Sequence, residues 1–397
     1  MRIPLATFFI SLLSGCSVMK SAKIMKTINH AELANKGFLY DIPFTFKSGV
    51  LIIQGIIDGK QEEPLHFIFD TGAYGTVTNT TARAYGLDKV AATTGGDANQ
   101  VKGEVGIFRI SSFQLGALQY SGVGAVGYDH PPLIACLANG GIVGAPLMKG
   151  RIWQIDIRKN SMVVTDEISR LQFPEGTKKV PFRTDKFSRP FVDLEINGRR
   201  QEFMLDLGAT QLLDIPAKVA AMYTGSGSSL LKVVGQGYHG AWGAVQDTIT
   251  FGLLDQVQLF GDTYRHIPYS YSPKSNQPVI GSELLKYYVL TMDFKAGVLY
   301  LTRYADPGTL KIASFGLDLD YKDGQVLVSR IYKDSKAEQA GIALDTRIIA
   351  INEKPVTYKS YCEFLDDKLQ HFKNDRIILS LAGGKKIALA KETFLQR

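Results

Sequence analysis

Two short stretches hold the residues best suited to chemistry. FIFDTGA (67–73) and FMLDLGA (203–209) each run three apolar residues into an aspartate, with a glycine two positions on and then an alanine. An aspartate at a strand end followed by glycine is ordinary turn chemistry: the carboxylate caps nearby backbone N–H groups and glycine accepts awkward φ values. Two such turns in one register suggest more, namely Asp70 and Asp206 facing each other. Carboxylates about 3 Å apart cannot both ionise comfortably, so they share a proton. The ionised member can then take a proton from water while the protonated member polarises a peptide carbonyl. That chemistry calls for no metal and no cofactor. Which aspartate holds the proton is left open at this stage.

The elements that must place these turns also occur twice. IPF (42–44) matches VPF (180–182), and each precedes a hairpin signal, IDGK (57–60) and INGR (196–199). Asp-Gly and Asn-Gly tolerate the left-handed angles of tight turns. IVGAPLMKGRIWQIDIRKNSMVVT (142–165) aligns without a gap to VIGSELLKYYVLTMDFKAGVLYLT (279–302), at an offset of 137 against 136 for the aspartates. One unit is therefore repeated, at 38–170 and 177–305, and β-branched, alternating patterns make both mainly β. Between the two motifs each unit has a glycine-rich hairpin candidate, 93–103 and 225–243. Such hairpins can cover a site, but each alone reads more simply as a solvent-exposed turn. Trp242 is a candidate for lining a cleft, and His239 reads as a surface residue.

The paired Asp-x-Gly turns and the apolar-apolar-Gly stretches (Ile142-Val143-Gly144, Val279-Ile280-Gly281) resemble the aspartic proteases of the pepsin and retropepsin kind. The resemblance spans about 270 residues and implies a bilobal acid-protease fold, catalytic Asp70 and Asp206, and polypeptide substrates. It further implies that Gly144 and Gly281 thread past turns built by Thr71, Gly72, Leu207 and Gly208. Because both units lie in one chain, a monomer would be complete. Two departures stand out. Leu207 replaces the hydroxyl residue that in the family reaches across to the opposite lobe, so half of an interlobe lattice of hydrogen bonds, each worth on the order of 1 kcal/mol, is expected to be missing. Ala73 and Ala209 cannot donate a hydroxyl to the carboxylates, which points to a working pH above pepsin's.

The bulk numbers exclude several classes. At 397 residues, 45% hydrophobic and 21% charged, the chain is an ordinary multidomain globular protein. A net charge of +7 without a basic block gives no nucleic-acid footprint. The six histidines are scattered without metal-ligand spacing, and no G-x-S-x-G elbow occurs.

The two ends add context. Arg2 followed by an uncharged run to Gly15 is too short to span a bilayer and reads as a signal peptide (1–15). Leu13-Ser14-Gly15-Cys16 resembles the bacterial lipobox, implying lipidation at Cys16, a tether over 16–37, and an outer-membrane anchor facing the periplasm. The two remaining cysteines, Cys136 and Cys362, fall in different predicted domains, so no disulfide is expected between them. From 312 to 397 the pattern shifts to α+β. Ser335 to Val356 resembles the PDZ domains of bacterial envelope proteases, with Glu353 in place of a turn glycine and Leu344-Asp345-Thr346 in place of Pro-Gly-Asp. That resemblance implies binding of peptide C-termini at backbone amides near Phe315, Gly316 and Leu317. Three readings remain at this point: an anchored aspartic endopeptidase, a catalytically silent peptide-binding lipoprotein signalled by Leu207, and a scaffold.

Overall fold

The structure, a computed structural model, describes residues 21–59, 64–223, 229–305 and 312–395. The expected signal peptide and the lipidation site Cys16 lie outside the described residues. Among those described, no helix is long and apolar enough to cross a membrane.

The fold is mainly β, and the two repeated units form two lobes. In each lobe the strand ending at the aspartate pairs in parallel with the apolar-apolar-Gly strand. Phe67 to Asp70 run beside Gly141 to Gly144, and Met204-Leu205 beside Val279-Ile280. The next short strand, Thr76–Thr78 or Leu213–Asp214, pairs antiparallel to that same strand from its other side. The glycines are obligatory here: a Cβ on Gly144 would overlap the backbone of Ala73 and Tyr74, and one on Gly281 that of Ala209 and Gln211.

The lobes do not stop at the repeat boundary. The last hairpin of the second unit, Tyr288–Asp293 and Val298–Arg303, joins the first unit's sheet, with Ile152 opposite Asp293 and Ile155 opposite Leu290. One apolar core runs through both units as a result. It includes Trp153, Phe69, Phe203, Leu207 and Leu290, all fully buried.

The two hairpin signals come out differently. INGR closes a two-residue turn with Ile196 opposite Arg199, Asn197 at φ 48 and Gly198 at φ 78. Asp58 and Gly59 are left-handed too, and the flanking strands pair from Leu51–Phe69 to Gly55–Leu65, while Lys60 of this hairpin signal lies outside the described residues. Asp58 exchanges bonds with Ser112 of a neighbouring strand: its N–H donates to the Ser112 carbonyl (2.8 Å) and its carboxylate accepts from the Ser112 N–H (2.7 Å).

Residues 312–395 have a second core around Phe315, Val328, Ile351 and Phe364. Ser360 caps the helix Tyr361–Lys373 by accepting from Glu363 N–H. Asp345 (φ 61) and Glu353 (φ 67) hold left-handed angles, so the chain turns at both places without glycine. This module is bound to both lobes. Its strand Gln325–Tyr332 pairs with Leu231–Gly240 of the second lobe, and its long helix packs on the helix Pro132–Leu137 of the first.

A disulfide joins Cys136 to Cys362 with their Cα atoms 5.2 Å apart, which corrects the expectation of unpaired thiols. The two cysteines sit on facing helices, brought together because Leu137, Leu365, Leu369 and Ile68 share one apolar patch. The stretch expected to be a tether is also not a bare linker. From residue 21 it packs on the first lobe, helical over 21–28, with Glu32-Leu33 paired to Ser121 and Tyr120.

Candidate active site

Each Asp-x-Gly turn is built by its own backbone. Gly72 N–H donates to Asp70 Oδ1 (2.7 Å), and in the second lobe Gly208 N–H (2.9 Å) and Ala209 N–H (3.2 Å) donate to Asp206 Oδ1. The two turns then interlock. A Cβ on Gly72 would collide with the Asp206 carboxylate, and one on Gly208 with the Asp70 carboxylate. Each carboxylate therefore lies directly over the opposite turn, where only glycine leaves room. This puts Asp70, Asp206, Gly72 and Gly208 in one place, with Gly144 and Gly281 supporting from beneath.

Thr71 is fully buried, and of the two middle residues of the turns it is the one whose side chain bonds to the opposite turn. Its hydroxyl donates to Leu205 O (2.6 Å) and accepts from Leu207 N–H (3.0 Å). Leu207 returns neither bond; its side chain is sunk in the shared core. A further crossing bond runs from the Ser282 hydroxyl, next to Gly281, to the carbonyl of Gly49 in the first lobe.

The carboxyls keep a partial opening to the cleft but are surrounded by protein, and burial is the largest influence on both, raising both. At Asp70 the charge of Asp206 and the bond between the two carboxyls add to the rise, so Asp70 is held well above the ordinary carboxylate range. At Asp206 the bond from Asp70, the N–H groups of Gly208 and Ala209, and the positive charge of Arg189 oppose it. The pair thus favours one shared proton between the two carboxyls.

The two glycine-rich hairpins meet each other across the lobes. The first is Asp88–Gly96 with Lys102–Leu115, the second Leu231–Gly240 with Gly243–Leu259. Their tips are not solvent-exposed turns; they clasp. Buried Asn99 donates to Tyr238 O (2.8 Å) and Gly243 O (3.1 Å), while Trp242 N–H donates to Asp97 (3.3 Å). Trp242 lies against Gly103 and near Tyr128, ring centroids 5.8 Å apart. His239 is half-buried and its Nδ1 has no partner, so it is not the surface residue expected; burial holds its pKa down. Residues the sequence did not single out complete the surroundings: Tyr74, Tyr128, Phe187, Arg189 and buried Asp214. Only Tyr74, close behind the first turn, had a positional signal.

The second hairpin is held from behind by the C-terminal module. Arg330 donates to Gln236 O (2.6 Å) and Gly237 O (2.5 Å), and Gln236 donates to Asp320 (2.6 Å). Around the expected carboxylate loop, Phe315 and Leu317 turn their side chains into the module's core. Gly316 is at φ 81, where a Cβ would strike Ser335, and its carbonyl accepts from Tyr332 N–H (2.9 Å). From the helix Tyr361–Lys373, Lys368 donates to Leu319 O (2.8 Å) and pairs with Asp318 (2.7 Å), both on the strand that follows this loop. Among the described residues no group of histidine, cysteine, aspartate and glutamate side chains could hold a metal ion.

No family profile and no curated protein matches the chain. Among solved structures, the aspartic proteinase from Irpex lacteus is similar at 11% identity and a TM-score of 0.42, over 68% of this chain and 98% of that one.

Proposed function

We propose that the chain is an aspartic endopeptidase in which Asp70 and Asp206 hydrolyse peptide bonds in polypeptide substrates. The observation that carries this reading is the reciprocal seating of each carboxylate over the other turn's glycine. Ionised Asp206 takes a proton from a water as its oxygen bonds to the scissile carbonyl carbon, and Asp70 gives its proton to the carbonyl oxygen. Collapse of the resulting gem-diol returns a proton to Asp70 while Asp206 protonates the departing nitrogen and the C–N bond breaks. Both carboxyls then stand as they began. The C-terminal module, on its resemblance to PDZ domains, binds extended peptide and presents it to the lobes, and the lipobox-like start would anchor the protein to a bacterial envelope membrane facing the periplasm.

The test is cleavage of an unfolded protein from pH 3 to 8 by the chain and by Asp70→Asn and Asp206→Asn. Each substitution is expected to remove cleavage by at least about 10³-fold, in the upper range for loss of an essential acid–base group. Cleavage that survives both substitutions overturns the reading. Peptide capture without cleavage by the parent would favour the silent-binder reading that Leu207 suggests.

A further inference from the structure

Away from the paired aspartates, three cations gather on the first lobe with no protein group to neutralise them. Lys23 and Lys26 stand three positions apart on the outward face of the helical residues 21–28, and so on one side of the helix. With His30, just past the helix end, they line an open cavity of about 550 Å³. Arg109 of the strand Lys102–Leu115 and Ser121 of the strand Leu118–Tyr128 close its other side.

A glycine brings the two sides together. Gly124 stands opposite Arg109 in the strand ladder, and a Cβ there would overlap the Thr27 carbonyl, so the end of the helix lies directly beside Arg109. Gly124 N–H also donates to His30 O (3.0 Å), which fixes the chain as it leaves the helix. Lys23, Lys26 and Arg109 are all exposed, and among the described residues none of their side chains has an ion-pair or hydrogen-bond partner. Two carboxylates are near without meeting them. Glu32, also on the cavity wall, faces His30 at 3.3 Å, and Asp88, opposite Arg109 in its ladder, makes no ion pair with it. Like charges around one cavity repel one another, and an anion seated among them removes that repulsion.

We propose that this cavity is an anion site and that it takes the phosphate-bearing headgroup of an anionic lipid. Lys23 and Lys26 supply point charges, the planar fork of Arg109 suits two oxygens of one phosphate, and Ser121 supplies a hydroxyl donor. Size favours a headgroup over free phosphate, since a cavity of about 550 Å³ belongs with sites for small organic molecules. Position favours it too. On the lipobox reading the acylated Cys16 stands five positions before Ser21, a reach of at most roughly 20 Å. Acyl chains and a basic site so close together would act as two membrane signals, and the site would turn the first lobe towards the bilayer.

The experiment uses the chain from Ser17, which keeps every described residue and has no acyl group, so its result does not depend on the lipobox or endopeptidase readings. Binding to vesicles of phosphatidylcholine mixed with phosphatidylglycerol is expected to be at least tenfold tighter than to phosphatidylcholine alone. Lys23→Gln, Lys26→Gln and Arg109→Gln should each weaken it about fivefold, the loss expected for one charge at an anionic surface. Lys322→Gln removes the same charge from the C-terminal module and should change it less than twofold. Unchanged melting temperatures would show that the variants remain folded. A second readout needs no bilayer: short-chain phosphatidylglycerol, dissolved as single molecules, should bind in calorimetry at least tenfold more tightly than inorganic phosphate, and Arg109→Gln should remove that binding. Equal binding to both kinds of vesicle, or an equal loss in Lys322→Gln, overturns the site. Inorganic phosphate that binds as tightly as the short-chain lipid overturns the headgroup assignment.

Discussion

The two Asp-x-Gly turns start from the same backbone plan and settle into different jobs. Asp70-Thr71-Gly72 reaches out, because one hydroxyl both donates to Leu205 O and accepts from Leu207 N–H. Asp206-Leu207-Gly208 reaches inward, its middle residue spent on the core shared by both lobes. A one-sided lattice still sets the dyad, since a single threonine hydroxyl serves both a carbonyl and an N–H on the opposite turn. The remaining interlobe restraint comes from elsewhere: the strands that cross between units and the module fastened to both. The asymmetry continues eight residues past each aspartate. Thr78 caps a helix in the first lobe, whereas Asp214 in the second is buried against Tyr238 OH (3.2 Å) and Ser270 Oγ (2.9 Å).

The strongest test of this contrast is Thr71→Val. It keeps the shape but leaves Leu205 O and Leu207 N–H unpaired in the interior, which should cost about 2–4 kcal/mol in a denaturant titration and lower cleavage as the dyad loosens. A stability equal to the parent's would show that the lobes are held without the lattice.

Asp214→Asn comes next. Burial, the largest cause, raises the Asp214 carboxyl to about 6, aided by Asp247 and opposed by bonds from Ser275, Ser270 and Tyr238. A group bound more tightly to its proton in the folded state favours folding below its unfolded value of 3.8 and loses that contribution as pH rises through about 6. The parent should therefore lose about 2–3 kcal/mol of stability between those pH values from this group, and the asparagine variant should not. Identical slopes for the two proteins would contradict the assignment.

The dyad's own titration follows the same signs. Cleavage should fall on the acid side as Asp206 gains a proton and on the alkaline side as Asp70 loses one. Both carboxyls are raised, so the profile should be centred above the ordinary carboxylate value of 3.8. An optimum below about pH 4 would break the link between burial, Ala73 and Ala209, and the working range.

The smallest effect is expected from Leu207→Thr. A second crossing hydroxyl gains about 1 kcal/mol per bond while the shared core loses about 2 kcal/mol of apolar burial, so the net change should stay within about 1 kcal/mol. A loss as large as that of Thr71→Val would mean that the new hydroxyl finds no partner.

Much of the site was legible because its signals are local. The Asp-x-Gly turns, the apolar-apolar-Gly strands and the INGR turn are each fixed by a few adjacent residues with special backbone needs, and duplication doubled the signal. The greasy run FIF gave a strand but not the reason both of its faces are apolar. Phe67 and Phe69 face the main core, whereas Ile68 faces the helix that carries Leu365, nearly 300 positions away. The Cys136–Cys362 bond was missed for the same reason, since spacing in sequence says nothing about two helices meeting across domains. Asp97 and Asn99 looked like loop residues because their partners sit on the other lobe, and His239 looked like a surface residue because the charged groups near it, Arg330 and Asp320, belong to the C-terminal module.

What the sequence determined alone is therefore the chemistry and its repetition: two carboxylates on glycine turns, two β units, one altered α+β module. These follow from backbone angles, hairpin-forming dipeptides and hydrophobic periodicity, all of which act over a few residues. Only the tertiary structure decided that the carboxylates cross over each other's glycines, that the glycine-rich hairpins clasp, that the module grips both lobes, and that residues 21–28 pack among residues of those hairpins. Those outcomes depend on which apolar faces remain uncovered once each unit has folded, and that is a property of assembled surfaces rather than of any stretch of chain.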